Sequence, residues 1–113
     1  MKYFDDIEFV RATPSCHLSD MDSGFMEVVE RARELAGIPF VVSSAYRPKW
    51  YELKKGRSGS SFHVFGRALD VICRDSKNRA SIVKACLACG LTCGIGKDFI
   101  HIDNRSNQIL FLY

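Results

Sequence analysis

Apolar residues recur at helical spacing in one early stretch, where Phe25, Val28, Val29, Ala32, Leu35 and Ala36 form a stripe. Upstream, Ser19-Asp20-Met21-Asp22 has the form of a capping box, so the helix is predicted to start at Ser19. Gly37 and Pro39 supply its stop. Phe40 to Ser44 is short and β-branched and reads as a strand. Pro48 biases Arg47 away from helical backbone, which puts Arg47 at a strand end or turn. Residues 49–55 suit a short helical turn, and the glycines and serines of residues 55–61 suit a loop. From Arg67 to Cys73 the chain is apolar at almost every position, as in a strand covered on both faces, with Asp70 the exception. Asp75 can cap a second helix running to about Ala88, with Ile82, Val83, Cys86, Leu87 and Cys89 on its buried side and Gly90 at its end. The tail predicts two strands, Phe99–Asp103 and Gln108–Leu112, joined by a hairpin turn at Asn104-Arg105-Ser106-Asn107. These elements amount to an α+β domain, a mixed and mostly antiparallel sheet with two main helices.

A chain of 113 residues fits one domain, 1–113, with a single core. The net charge of +3 is mild and its cations are scattered, so no nucleic-acid partner is expected. Acidic residues stand where a signal peptide would need an apolar segment, and no run approaches the length of a membrane span. Synthesis in the cytoplasm without an export signal, as a monomer, is the expectation. The five cysteines are an odd number, which argues for reduced thiols. Cys86-x-x-Cys89-x-x-x-Cys93 invites a structural zinc site, but paired C-x-x-C ribbons are missing, and core packing is the better reading. Trp50 and Tyr51, close to the glycine-serine loop, are candidates for lining a cleft.

The chemistry concentrates around Asp70. A carboxylate among Ala68, Leu69, Val71 and Ile72 is unfavourable unless it meets a cation, which can be an arginine such as Arg67 or Arg47, or a metal. Of three histidines, His63 lies in a loop seven residues before Asp70, and His101 lies in the strand Phe99–Asp103. Each alone suits a packed ring. Together with Asp70 they would complete a two-histidine, one-carboxylate set, the kind that catalytic zinc uses while keeping a fourth position for water. The helical H-E-x-x-H motif is absent.

Ser61-x-His63-x-x-Gly66-x-Ala68-x-Asp70 resembles the S-x-H-x-x-G-x-A-x-D signature of the M15 zinc peptidases, which include D-Ala-D-Ala carboxypeptidases and L-alanyl-D-glutamate endolysins. Ser44-Ala45-Tyr46-Arg47 resembles their upstream S-x-Y-R segment, and Asp98-Phe99-Ile100-His101 their acid-x-x-His segment. The resemblance implies the fold shared with the hedgehog signalling domain. It implies a Zn2+ ion bound by His63, Asp70 and His101, with Asp98 as general base and Arg47 stabilising charge on the scissile carbonyl. Ser61 fills a signature position without a chemical role of its own. Asp103, two residues beyond His101 and on the same strand face, is the rival base or a carboxylate that orients a histidine. The activity implied is hydrolysis of peptidoglycan stem peptides, as a carboxypeptidase or endopeptidase. Its place would be the cell wall after release, as for a phage endolysin, or a virion. The alternative is a non-enzymatic zinc-containing binding or virion domain of the same fold.

Overall fold

Carboxylates set three of the four α-helix starts in this chain. The computed structural model describes residues 1–113, with helix α1 at Asp6–Val10, α2 at Ser23–Ala36, strand β1 at Val41–Ser44, α3 at Lys49–Lys54, β2 at Ala68–Ile72, α4 at Ser76–Ala88, and strands β3 at Thr92–Ile95, β4 at Phe99–Asp103 and β5 at Leu110–Leu112. Asp75 accepts from the Asn78 N–H at 2.9 Å and opens α4 as expected. The start of α2 differs from the sequence reading. Its cap is Asp22, which accepts from the Phe25 N–H at 2.8 Å. Ser19 instead lies in a 3-10 turn, Leu18–Asp20, that the Asp20 carboxylate closes on the His17 N–H at 2.8 Å. Met21 has extended backbone between the two, so the turn and the helix are separate. Helix α1, short and unforeseen, begins where the Asp5 N–H donates to Glu8 at 2.8 Å.

The strands form one sheet in the order β1-β2-β4-β3-β5, antiparallel except for the β3–β5 pair. Alternation gives the sheet two unlike faces. Leu69 and Val71 of β2, Ile100 and Ile102 of β4, and Cys93 of β3 belong to one core cluster with Phe25, Met26 and Val29 of α2 and Ile82 and Cys86 of α4. Each large apolar side chain buried there contributes about 1.5–3 kcal/mol. All five cysteines are free, and Cys16, Cys73, Cys86 and Cys93 are buried, as the packing reading requires. The opposite face presents Asp70, His101 and Asp103.

The tail departs from expectation. Strand β3 went unrecognised, and the residues after β4 make no hairpin. Because β2 and β3 occupy both edges of β4, the chain crosses the end of β3 and pairs with its outer edge instead. Gln108 anchors this crossing through its side-chain amide, which donates to the carbonyls of Leu87 and Leu91 at 2.7 and 2.9 Å. No helix is long and apolar enough to cross a membrane.

Candidate metal centre

Three strands and one turn bring the polar residues together. Asp70 and His101 are direct register partners across β2 and β4, and Ser44 stands against Asp70 across β1 and β2. An irregularity between Val42 and Ser44 makes this possible: Val42 stays in the core while Ser44, two residues on, turns to the polar face. His63 arrives from the 3-10 turn Phe62–Phe65, whose first amide bonds are organised by Ser61; its hydroxyl accepts from the His63 N–H at 3.1 Å. Gly66 ends that turn with φ 67°, and a Cβ there would lie 2.6 Å from the Asp20 carbonyl oxygen. Only glycine fits both the backbone and the space.

His63, Asp70 and His101 are all buried, and one ligand atom from each lies within 4.8 Å of the others. The outward nitrogens fix where the protons are. His63 Nδ1–H donates to the Ala45 carbonyl at 2.6 Å, and His101 Nε2–H donates to Asp103 at 2.7 Å. That leaves His63 Nε2 and His101 Nδ1 facing the same Asp70 oxygen, at 3.3 and 3.0 Å. Two imidazole lone pairs and a carboxylate oxygen pointing at one spot repel each other unless a cation sits among them. Additional protons can supply that cation, and so can a metal ion. The donor set fits a metal well, because tetrahedral zinc at about 2.0–2.1 Å from each ligand holds them roughly 3.4 Å apart. A carbonyl or carboxylate on the far nitrogen is also the usual partner of a ligating histidine.

The charges around the centre follow from the same contacts. Burial pushes the Asp70 carboxyl up, but with additional protons on the inward nitrogens, hydrogen bonds from His101 and His63 outweigh it and hold Asp70 well below the usual carboxylate range. Burial likewise pushes Asp103 up, and the bonds from His101 and Arg105 bring it well below that range. The His101 ring is lowered by burial and raised more by Asp103 and Asp70, so it ends above the ordinary histidine value.

Arg47 Nη2 donates to the second Asp70 oxygen at 2.7 Å and Nε to Ser44 at 2.9 Å. The ion pair read for Asp70 therefore exists alongside the histidine cluster. Asp103 is saturated: it takes His101 on one side and Arg105 Nε and Nη2 on the other, at 3.0 and 2.6 Å. A carboxylate so engaged orients a ring and does not collect protons. Asp98 is neither in the cluster nor among the residues that line the cavity beside it. It lies in the turn between β3 and β4, its side chain 52% exposed, with Arg74 at 3.4 Å. Its backbone precedes β4, whose site-facing residues are Phe99, His101 and Asp103, so strand alternation does not aim it at the metal position.

The cluster borders a cavity of about 410 Å³. Trp50 and Tyr51 do not line it, and Trp50 is 64% exposed. Sequence reasoning missed Glu52, Arg105, Phe111 and Tyr113, all of which do line it. One signal was present: Arg47, Glu52 and Arg57 are opposite charges spaced five residues apart.

Comparison with known proteins agrees with this geometry. No match was found among curated proteins. Among solved structures, the Serratia marcescens L-Ala D-Glu endopeptidase ChiX has the same fold, with TM-score 0.53, 20% identity, and coverage of 84% of this chain and 86% of that one. The family model described as Peptidase M15 matches residues 6–103, which takes in β1, the His63 turn, β2 and all of β4. With that match over most of its length and a two-histidine, one-carboxylate cluster on its polar sheet face, the chain belongs to the peptidase M15 family of metallopeptidases.

Proposed function

We propose that residues 1–113 act as a single zinc peptidase domain that hydrolyses an amide bond inside peptidoglycan stem peptides, at the cell wall. The observation that carries this reading is the convergence of His63 Nε2, His101 Nδ1 and an Asp70 oxygen, with the outer nitrogens proton-locked by Ala45 and Asp103. The bond that the ChiX name specifies supports a cell-wall peptide as substrate and an endopeptidase as the reaction type.

Zinc bound by this trio supplies Lewis acidity toward the scissile carbonyl and an activated water near neutral pH. The protein's own residues prepare that chemistry. The Ala45 carbonyl and Asp103 keep each ring in the tautomer that offers a lone pair inward. Arg47 donates to the outer oxygen of Asp70, which leaves the other oxygen toward the histidines. Three of its five N–H donors are used, on Ser44, Asp70 and Glu52, leaving two for an oxygen of the substrate. Ser61 fixes the turn that carries His63.

Metal analysis of the purified protein tests the reading, together with digestion of purified peptidoglycan and identification of the fragments. One zinc per chain is expected, lost in His63→Ala and Asp70→Ala variants whose circular dichroism stays that of the parent. The zinc-loaded parent should release stem-peptide fragments. Full zinc retention in both variants overturns the metal assignment, and a zinc-loaded parent that releases nothing overturns the activity.

A further inference from the structure

Glu52 is 0% exposed although it lies in the six-residue helix α3 among lysines. A buried carboxylate is unfavourable unless partners replace its water. Its two oxygens meet two arginines, Arg57 Nη1 at 2.7 Å and Arg47 Nη1 at 3.5 Å. Arg47 has shorter bonds to Ser44 and Asp70, so the tighter grip of Glu52 is on Arg57. That grip is double, because the Arg57 backbone N–H also donates to the Glu52 carbonyl at 2.9 Å. Burial pushes the Glu52 carboxyl up, but the Arg57 hydrogen bond and the charges of both arginines leave it below its ordinary value.

An unbroken chain of opposite charges thus runs from the metal centre outward: Asp70, Arg47, Glu52, Arg57. Its last member is half exposed, on the cavity rim. Arg57 spends one N–H on Glu52, and no other side-chain hydrogen bond of its guanidinium is made, which leaves Nε and Nη2 unpaired. That pair is the fork that matches a carboxylate. Among the cavity-lining residues three arginines face two carboxylates, and a cation held by His63, Asp70 and His101 adds to the positive field. A solvent arginine normally keeps its rotamer freedom, whereas this one is anchored at backbone and guanidinium before any substrate arrives.

We propose that Arg57 is the specificity-determining residue of this site, reading a free carboxylate on the substrate close to the cleaved bond, and that Glu52 is its positioning residue. The substrate is then an acidic peptide. This inference rests on the peptidase reading above.

The test uses two synthetic stem peptides that differ only in whether the α-carboxyl group of the D-glutamate is free or amidated. The zinc-loaded parent is expected to prefer the free acid by tenfold or more in kcat/KM, expressed mainly in KM. In Arg57→Gln that ratio should fall toward one, and Arg57→Lys should restore part of it. Glu52→Gln, which retains the shape of the anchor, should reduce the ratio as well. A ratio unchanged in Arg57→Gln overturns the proposal. A second readout needs no turnover: titrating the metal-free protein with each peptide should shift the Arg57 Nε–H resonance with the free acid only. Equal shifts with both peptides, or none with the acid, overturn the proposal. If the loaded parent cleaves neither peptide while the acid alone shifts Arg57, the peptidase reading fails and the carboxylate reader stands.

Discussion

A metal ion at the candidate centre would compete with protons for one lone pair on His101. The folded pKa of this ring lies above the ordinary 6.5, so protonation opposes ligation at a higher pH than it would for free imidazole. Metal affinity is therefore expected to fall as pH drops through that raised value, while Asp70, held well below the usual carboxylate range, stays ionised and adds nothing to the slope. Asp103→Asn keeps an acceptor for the His101 N–H but removes the charge. It should weaken metal binding roughly 10–100-fold, measured by chelator competition. Unchanged affinity would show that Asp103 does not hold the ring. The general-base role of Asp98 is tested at the same scale. Loss of a general base costs about a hundredfold to ten-thousandfold in rate. Asp98→Asn is expected to keep both its metal and its turnover within that lower bound, since its side chain faces Arg74. A larger loss with metal retained would identify Asp98 as the base.

At the scale of elements, β5 can lie on the sheet because Gly94 of β3 has no side chain. A Cβ at that position would meet the Phe111 ring at 2.4 Å, and Phe111 in turn stands 5.9 Å from His101, centroid to centroid. Gly94→Ala should push Phe111 off β3 and cost about 1–3 kcal/mol, the usual range for overpacking. A lowered urea midpoint with an unchanged slope checks this. If the midpoint does not move, β5 is not docked as described. This same contact explains what could and could not be read from the chain. Helices α2 and α4 announce themselves through periodic apolar residues and, for α4, through Asp75. Strand β2 does so through its apolar run. Strand β3 has the sequence Thr92-Cys93-Gly94-Ile95, with no alternation and a glycine whose value appears only when Phe111 arrives. Without β3, the residues after Asp103 look like a turn back onto β4, an edge that is already occupied.

Across the whole molecule, the metal centre was the most legible feature and its surroundings the least. Asp70 stands out because a carboxylate is costly in its apolar segment, whereas His63 and His101, each of which alone suits a packed ring, are marked by the signature segments that resemble those of M15 peptidases. Glu52 and Arg105 are ordinary surface residues by their neighbours; their partners Arg57 and Asp103 are close in sequence, but their place on the cavity wall depends on the fold. Metal at a hundredfold excess over its dissociation constant should stabilise the fold by about 2.7 kcal/mol. For a domain near this size that raises the melting temperature by roughly 10 °C. The pH dependences of the two forms have opposite sign. In the metal-free protein, the raised pKa of His101 contributes stability that is complete below 6.5 and is lost as pH rises through the folded value. Zinc contributes more across that same interval, because the ring that ligates is the neutral one. Thermal melts with and without zinc, on both sides of this window, should diverge as pH increases. Parallel curves would place the metal away from His101.

The pairing of Asp70 with His101 is one row of an antiparallel ladder, flanked by Leu69 against Ile102 and Val71 against Ile100. If β4 slid by a single residue, an isoleucine would face Asp70 and the imidazole would enter the core. No misaligned sheet could then assemble the trio, so ion uptake acts as a proofreading mark. A chain that captured its metal through this trio would, by that fact, have set the register of β2 against β4.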